Sequence, residues 1–524
     1  MQRDRRTWIL FGSLLLAAVA LVAAPARADV RLPAVIGDGM VLQREIPVPI
    51  WGWADEGEQV QVSIQGQTKT AAAAPGSGKW MVKLDPLQVG GPYPMIVRGK
   101  NTITLKNVLV GEVWLCSGQS NMTLSVTSVN DAPQEIAAAN YPKIRLISVP
   151  MKGTQTPQTD FTGHWAPCSP ATVAGFSAVA YFFGRDLYQK LNIPIGLIHC
   201  SWGGSSCEAW VQRSVLQSDP QYKPMLEQTD KTVATWDQAK LEANYQRQRA
   251  QWQKIAKDAK AAGKPVPPGP RAPQDFRIGQ HRSANLYNGM LLPLIPYAIR
   301  GAIWYQGESN ASRAYQYRSL FPLMIRSWRH DWQEGDFPFY FVQLANFRKV
   351  KPAPAESDWA ELREAQSMTL ALPHTGQAVI IDIGDADNIH PKNKQDVGKR
   401  LALWALAKDY GQDVVFSGPV YQGMKTDGSR IVLSFGSLGG GLVAHGGSSL
   451  EGFTIAGADR KFVAAEARID GDTVVVSSPQ VSAPVAVRYA WADNPVCNLY
   501  SRAGLPASGF RTDSWPGITA KNDH

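Results

Sequence analysis

The sequence predicts an α/β protein whose three-layer α/β/α core surrounds a parallel sheet, with a strand-rich, β-sandwich-like region on either side. Three observations carry this. From about residue 108 to residue 411, buried apolar runs alternate with amphipathic stretches, the texture of a parallel sheet covered by helices on both faces. Before and after that span, short apolar runs are broken by frequent turn residues, the texture of antiparallel strands. At 524 residues the chain also exceeds the roughly 250 that one core usually supports, so several domains are expected.

Residues 1–28 combine a basic head, an apolar run from Trp8 to Ala24 and the small-x-small signal Ala26-Arg27-Ala28. The apolar run is shorter than the ~20 residues of a membrane span, so it reads as a cleaved export signal. Arg5-Arg6 also permits a twin-arginine route. The expected product is exported, periplasmic or secreted, with no membrane contact after cleavage. Residues 29–107 form the first β region, in "MVLQREIPVPIWGWADEGEQVQVSIQG", "KWMVKL" and "NTITLKNVLVGEVWL".

Residues 108–411 form the core. Ser177 is placed to cap a helix running to about Leu191, with Val179, Phe182, Phe183 and Leu187 on its apolar face. Asn192 and Pro194 end that helix, and "IGLIHC" follows as a buried strand. "AIRGAIWY", "FPFYFVQL" and "QAVIIDIG" are further strands, each entering a polar loop, and ligands of such sheets gather at the carboxyl ends of strands. Residues 217–275 interrupt the pattern with a Lys/Gln/Ala-rich helix and the return "PVPPGPRAP", read as a solvent-facing insertion. Residues 412–524 return to strands and are placed to pack with the first β region.

Removing residues 1–28 takes away Arg3, Arg5, Arg6, Arg27 and Asp4, so the formal charge falls from +9 to +6. That surplus is spread along the chain and does not point to nucleic acid. Five cysteines leave at least one unpaired, and no CxxC or HExxH pattern suggests a metal.

The chemistry concentrates in two stretches. "CSGQSNM", residues 116–122, ends an apolar strand in a polar bend: Gly118 permits a tight turn and Ser120 can open the next helix, either as a cap or as a nucleophile. "DIGDADNIHPKNKQDVGKRLALWAL" follows another strand, with Pro391 at the first helical position and His390 where loop becomes helix. Asp387, three residues earlier, is close enough to fix the imidazole tautomer as a serine-hydrolase base requires, or simply to cap the helix. Two further loops can complete an oxyanion hole: "HCSWGGSSCEAW", with Gly203 and Gly204, and "IWYQGESNAS", with the Gln306 amide and Glu308 and Asn310 nearby. The sequons at Asn121 and Asn310 fall inside these loops and are taken as coincidence.

"GEVWLCSGQSNM", "WYQGESN" and "DNIHP", in that order, resemble the sialate O-acetylesterase family within the SGNH (GDSL-like) hydrolases. "LYNGMLLPLIPYAIRGAIWYQGESN" and "LREAQ" extend the likeness. The resemblance implies Ser120 as nucleophile, His390 as base and Asp387 as its partner, with the Ser120 and Gly204 N–H groups and the Gln306 side chain as oxyanion hole. Where the wider superfamily has Asn in a Gly-x-Asn-Asp block, this chain has Gln306-Gly307-Glu308. Arg363 and Gln366 are expected near substrate, with Gln119, Asn121, Glu308 and Asn310 as further contacts. The implied reaction is hydrolysis of O-acetyl esters on a sugar or glycan, of the sialate 9-O-acetylesterase type, with no cofactor. Acetylated xylan is the alternative substrate. A glycosidase using Glu308 and Asp387, and a non-catalytic carbohydrate-binding protein, are the readings of other classes.

Overall fold

A computed structural model describes residues 29–352 and 354–522. The expected export signal, residues 1–28, lies outside the described residues. The core is built in chain order from β1 (Thr102–Gly118), α1 (Ser120–Thr123), β2 (Tyr141–Ser148), α2 (Ala178–Leu191), β3 (Ile195–Ser201), β4 (Gly301–Tyr305), α3 (Ala314–Trp332), β5 (Phe339–Val342), α4 (Asp358–Met368), β6 (Thr375–Ala378) and α5 (Lys394–Lys408). The strands lie in the order β6-β5-β4-β1-β3-β2 and all run parallel, with Ala166–Cys168 antiparallel beyond β2.

Successive strand residues point to opposite faces, and both faces here are apolar. On one face Trp304, Phe339 and Phe341 pack with Phe321 and Trp328 of α3. On the other, Trp114, Ile303 and Tyr340 pack with Phe183 of α2 and Val397 and Leu401 of α5. Trp114 is fully buried, edge-on to Phe183 at 5.0 Å and stacked on Tyr340 at 5.9 Å. The Ser177 hydroxyl caps α2 by accepting from Ala180 N, and itself donates to the Met122 carbonyl in α1 at 2.6 Å. A cap of this kind contributes about 1 kcal/mol, and here it also anchors the segment that carries Ser120.

The expected domain boundary at residues 107 and 108 falls inside one continuous strand. The first part of β1 pairs with strands Gly90–Arg98 and Val41–Gln43 of the N-terminal region, and its second part is central in the core sheet. At the junction, buried Glu112 receives the guanidinium groups of both Arg44 and Arg300.

Among the described residues, no hydrogen bond or ion pair links the C-terminal strands to the N-terminal region. They bind the core: Arg363 of α4 donates to the Ala492 and Asp493 carbonyls, Gln343 donates to Ser508, and Arg511 pairs with Glu364. The insertion holds helices Lys223–Ala234 and Gln238–Ala261, and of the second only Ala256 is buried. Among the described residues, no helix is long and apolar enough to cross a membrane.

Two elements differ from expectation. The strand expected over "QAVIIDIG" ends at Ala378, because side chains take over its backbone: Arg400 binds the Val379 carbonyl and Asn346 binds Gly384 N. α5 begins at Lys394 rather than Pro391, with Asn393 as its cap.

The α2–α5 contact gives a test in which two effects oppose. Gly398→Ala adds helix propensity worth about 1 kcal/mol. Its Cβ, however, would stand 2.6 Å from Phe182 Cβ and 2.7 Å from Phe183 N. Overpacking of that kind costs roughly 1–3 kcal/mol, so the variant should unfold at lower urea concentration than wild type. A midpoint that is unchanged or higher would contradict this packing.

Candidate active site

The site is built at the carboxyl ends of β1, β3, β4 and β6. β1 ends at Gly118, whose φ is +138°. A Cβ there would lie 2.2 Å from the Tyr305 carbonyl oxygen at the end of neighbouring β4. Only glycine allows this approach, and Gln119 N then donates to the same carbonyl at 2.9 Å. Ser120 follows as the first residue of α1, half-buried, with its Oγ 2.8 Å from His390 Nε2. With Nε2 accepting from the hydroxyl, the ring proton belongs on Nδ1. Burial, and then the charge of Lys394, hold the His390 imidazole below the ordinary histidine value.

Asp387 is not brought to His390. The loop winds through side-chain turns, Asp385 accepting from Asp387 N and Asn388 accepting from His390 N. These turns leave Asp387 exposed, and among the described residues no hydrogen bond joins its carboxylate to the imidazole.

A second serine–histidine contact lies at the end of β3, where His199 Nε2 and Ser201 Oγ are 2.6 Å apart. Ser201 is only 3% exposed and its hydroxyl also meets Thr123 in α1, so this pair braces the segment behind Ser120. Burial drives His199 down to about 4, leaving it neutral.

The glycine loop after β3 lies against Ser120: a Cβ on Gly203 would stand 3.5 Å from Ser120 Cβ, and Gly204 has φ +74°. Its anchors are Trp202 N and Ser205 Oγ, both donating to the Gly118 carbonyl. Among the described residues, the backbone N–H groups of Ser120, Gly203 and Gly204 have no intramolecular acceptor.

Gln306 is placed otherwise than expected. It is fully buried; its Nε2 donates to the Ser205 carbonyl (3.1 Å) and to Asn310 Oδ1 (2.7 Å), and its Oε1 accepts from Tyr317. Both amide hydrogens are thus engaged. Asn310 Oδ1 also accepts from Cys207 N, while its Nδ2 donates to buried Glu208, which pairs with Arg313. Gln306 and Asn310 therefore form a shelf beneath the glycine loop rather than a surface toward substrate.

Other expected contacts are also interior. Arg363 is 1% exposed and donates to four carbonyls, of Leu344, Ala345, Ala492 and Asp493. Gln366 binds the Gln306 and Val342 carbonyls and Leu344 N, and Gln119 Oε1 accepts from Gly307 N and Ser309 N. Asn121 donates to Glu308 at 2.7 Å, behind the Ser120 turn. Buried polar side chains need such partners, and strand ends in a parallel sheet supply them.

Lys394 was not among the sequence candidates, yet it is fully buried directly behind His390, with Nζ 2.8 Å from Asn121 Oδ1 and 2.6 Å from the Pro391 carbonyl. The one signal for it is a lysine at the start of a helix whose inner face is otherwise apolar.

Comparison with known proteins identifies the family of the chain. The family described as carbohydrate esterase, sialic acid-specific acetylesterase, matches residues 110–255 and 279–407. A rat sialate O-acetylesterase is 32% identical over 458 residues, covering 78% of this chain and 79% of the relative. A mouse sialate O-acetylesterase is 32% identical over 389 residues, and that match spans 66% of each chain. The crystal structure of a carbohydrate acetylesterase from Xanthomonas citri superposes with a TM-score of 0.79 at 40% identity, covering 93% of this chain and all of that one. Over both its sequence and its fold, the chain belongs to the sialic acid-specific acetylesterase family of carbohydrate esterases, which are carboxylic ester hydrolases.

Proposed function

We propose that the protein is an exported serine esterase that removes O-acetyl groups from a sugar or glycan through an acetyl-enzyme on Ser120. The observation that carries this reading is the 2.8 Å contact of Ser120 Oγ with His390 Nε2, beside backbone N–H groups that have no internal acceptor. His390 Nε2 takes the Ser120 proton as Oγ bonds to the acetyl carbonyl carbon. The N–H groups of Ser120 and Gly204, with Gly203 adjacent, stabilise the oxyanion; Gln306 supports that loop from below. The imidazolium then protonates the departing sugar oxygen as the ester C–O bond breaks. Water, deprotonated by the same imidazole, attacks acetyl-Ser120; acetate leaves and Ser120 Oγ recovers the proton. Asp387 is the carboxylate assigned to Nδ1–H, a role supported by its place three residues before His390 and requiring only residues 385–388, ahead of the held Ile389 and Pro391 carbonyls, to turn inward. A glycosidase pair of Glu308 and Asp387 finds no support, since Glu308 faces Asn121 behind the turn and Asp387 is exposed. The relatives named sialate O-acetylesterases support acetylated sialic acid over acetylated xylan as substrate. Export rests on the leader read in residues 1–28.

Acetate release from 9-O-acetylated sialic acid and from acetylated xylan, measured side by side, tests both nucleophile and substrate. Ser120→Ala should lower kcat at least about 10³-fold on whichever substrate is used. Wild-type activity in that variant would overturn the mechanism, and turnover confined to xylan would overturn the sialate assignment.

The pH dependence has a definite sign. His390 is a base only when neutral, and burial and Lys394 both disfavour its protonated form. kcat/KM should therefore rise with pH through an apparent pKa below the ordinary histidine value of about 6.5. A rise centred above that value would contradict the assignment.

A further inference from the structure

Both carbonyls flanking His390 are held from behind. Asn121, covalently next to Ser120, donates from Nδ2 to the Ile389 carbonyl at 3.0 Å. Lys394 Nζ donates to the Pro391 carbonyl at 2.6 Å and to Asn121 Oδ1 at 2.8 Å. Asn121 is anchored in turn by Glu308, from the loop after β4; Glu308 Oε1 accepts at 2.7 Å, and its Oε2 is buried with no partner among the described residues. The two segments that bring Ser120 and His390 together, one after β1 and one after β6, are thus joined by a single buried set of side chains.

Resting on the assignment of Ser120 and His390 above, we propose that Lys394 is a positioning residue which, with Asn121 and Glu308, clamps the His390 loop to the Ser120 turn and sets the distance across which the proton moves. Lys394 faces Asn121 from α1, Glu308 and the Tyr305 ring from β4 and its loop, and the Pro391 carbonyl from its own loop; the ring centroid is 5.4 Å from Nζ. Burial lowers Lys394 to about 7 while Glu308 opposes that shift. Burial likewise holds the Glu308 carboxyl above its ordinary value. A purely structural lysine, exchanged for an apolar side chain of equal length, would cost stability by leaving buried acceptors unpaired but would leave kcat of the folded enzyme unchanged. One that positions and polarises the pair would not, because a misplacement of about 1 Å at a reacting centre can lower the rate ~100-fold.

The test compares wild type, Lys394→Met, Asn121→Asp and Ser120→Ala on acetate release, with thermal unfolding as the check of folding. Lys394→Met should lose about 10–100-fold in kcat with KM within about twofold, the pattern of a group that acts on the reaction rather than on substrate binding. Its kcat/KM profile should also shift its acidic limb to higher pH, since loss of the Lys394 charge favours the imidazolium. Asn121→Asp keeps an acceptor for Lys394 but removes the donors to Glu308 and Ile389, and should show the same kcat loss. Folded Lys394→Met with wild-type kcat and an unmoved limb overturns the proposal; if that variant does not fold, wild-type kcat in Asn121→Asp does so. Active Ser120→Ala instead overturns the nucleophile assignment, whatever Lys394 does.

Discussion

The site depends on one close approach. β1 and β4 run side by side and finish in contact at Gly118 and Tyr305, where no side chain fits. That constraint turns the chain sharply into Gln119, whose N–H closes on the Tyr305 carbonyl and whose Oε1 collects Gly307 N and Ser309 N. Ser120 is then delivered at the top of the sheet, and the same Gly118 carbonyl anchors the glycine loop from β3. One glycine therefore fixes three of the loops around the hydroxyl, and His390 arrives on a fourth.

Around this constraint the protein distributes its buried polar groups in two sets. On the β3 side, Gln306, Asn310, Glu208 and Arg313 carry the glycine loop. On the β6 side, Asn121, Glu308 and Lys394 carry the His390 loop. Within the low-dielectric interior a half-satisfied set is destabilising, so such networks hold shape strictly. The half-exposed surface left between them presents Ser120, His390 and backbone N–H groups.

Much of the core was legible in the sequence because its signals are local. Ser177 and Asn192 bound α2 as expected, and "IGLIHC" forms β3 within a single residue of its expected end. The meeting of Ser120 with His390 was expected for a related reason: each follows an apolar strand, Ser120 opening one helix and His390 preceding another. What was not legible depended on long-range partners. "QAVIIDIG" has the composition of a buried strand, but Arg400 and Asn346 draw its second half out of the sheet. Gln306 read as an oxyanion-hole donor, and Arg363 and Gln366 as residues near substrate, because the family resemblance implied those roles. They turn inward instead, because strand ends and the C-terminal region present carbonyls that require donors. Lys394 escaped notice for the opposite reason, as an ordinary charge at a helix start whose burial only the folded loops create.

The central claim is that Ser120 becomes acetylated during turnover. Rapid acid quenching of the enzyme with an acetyl-ester substrate, followed by peptide mass spectrometry, reads this directly. The account predicts the mass of one acetyl group on the peptide containing Ser120, lost on further incubation without substrate. Acetylation of the buried Ser201 instead, or a quenched enzyme under steady turnover that carries no acetyl group on any serine even when deacylation is slowed, would contradict it.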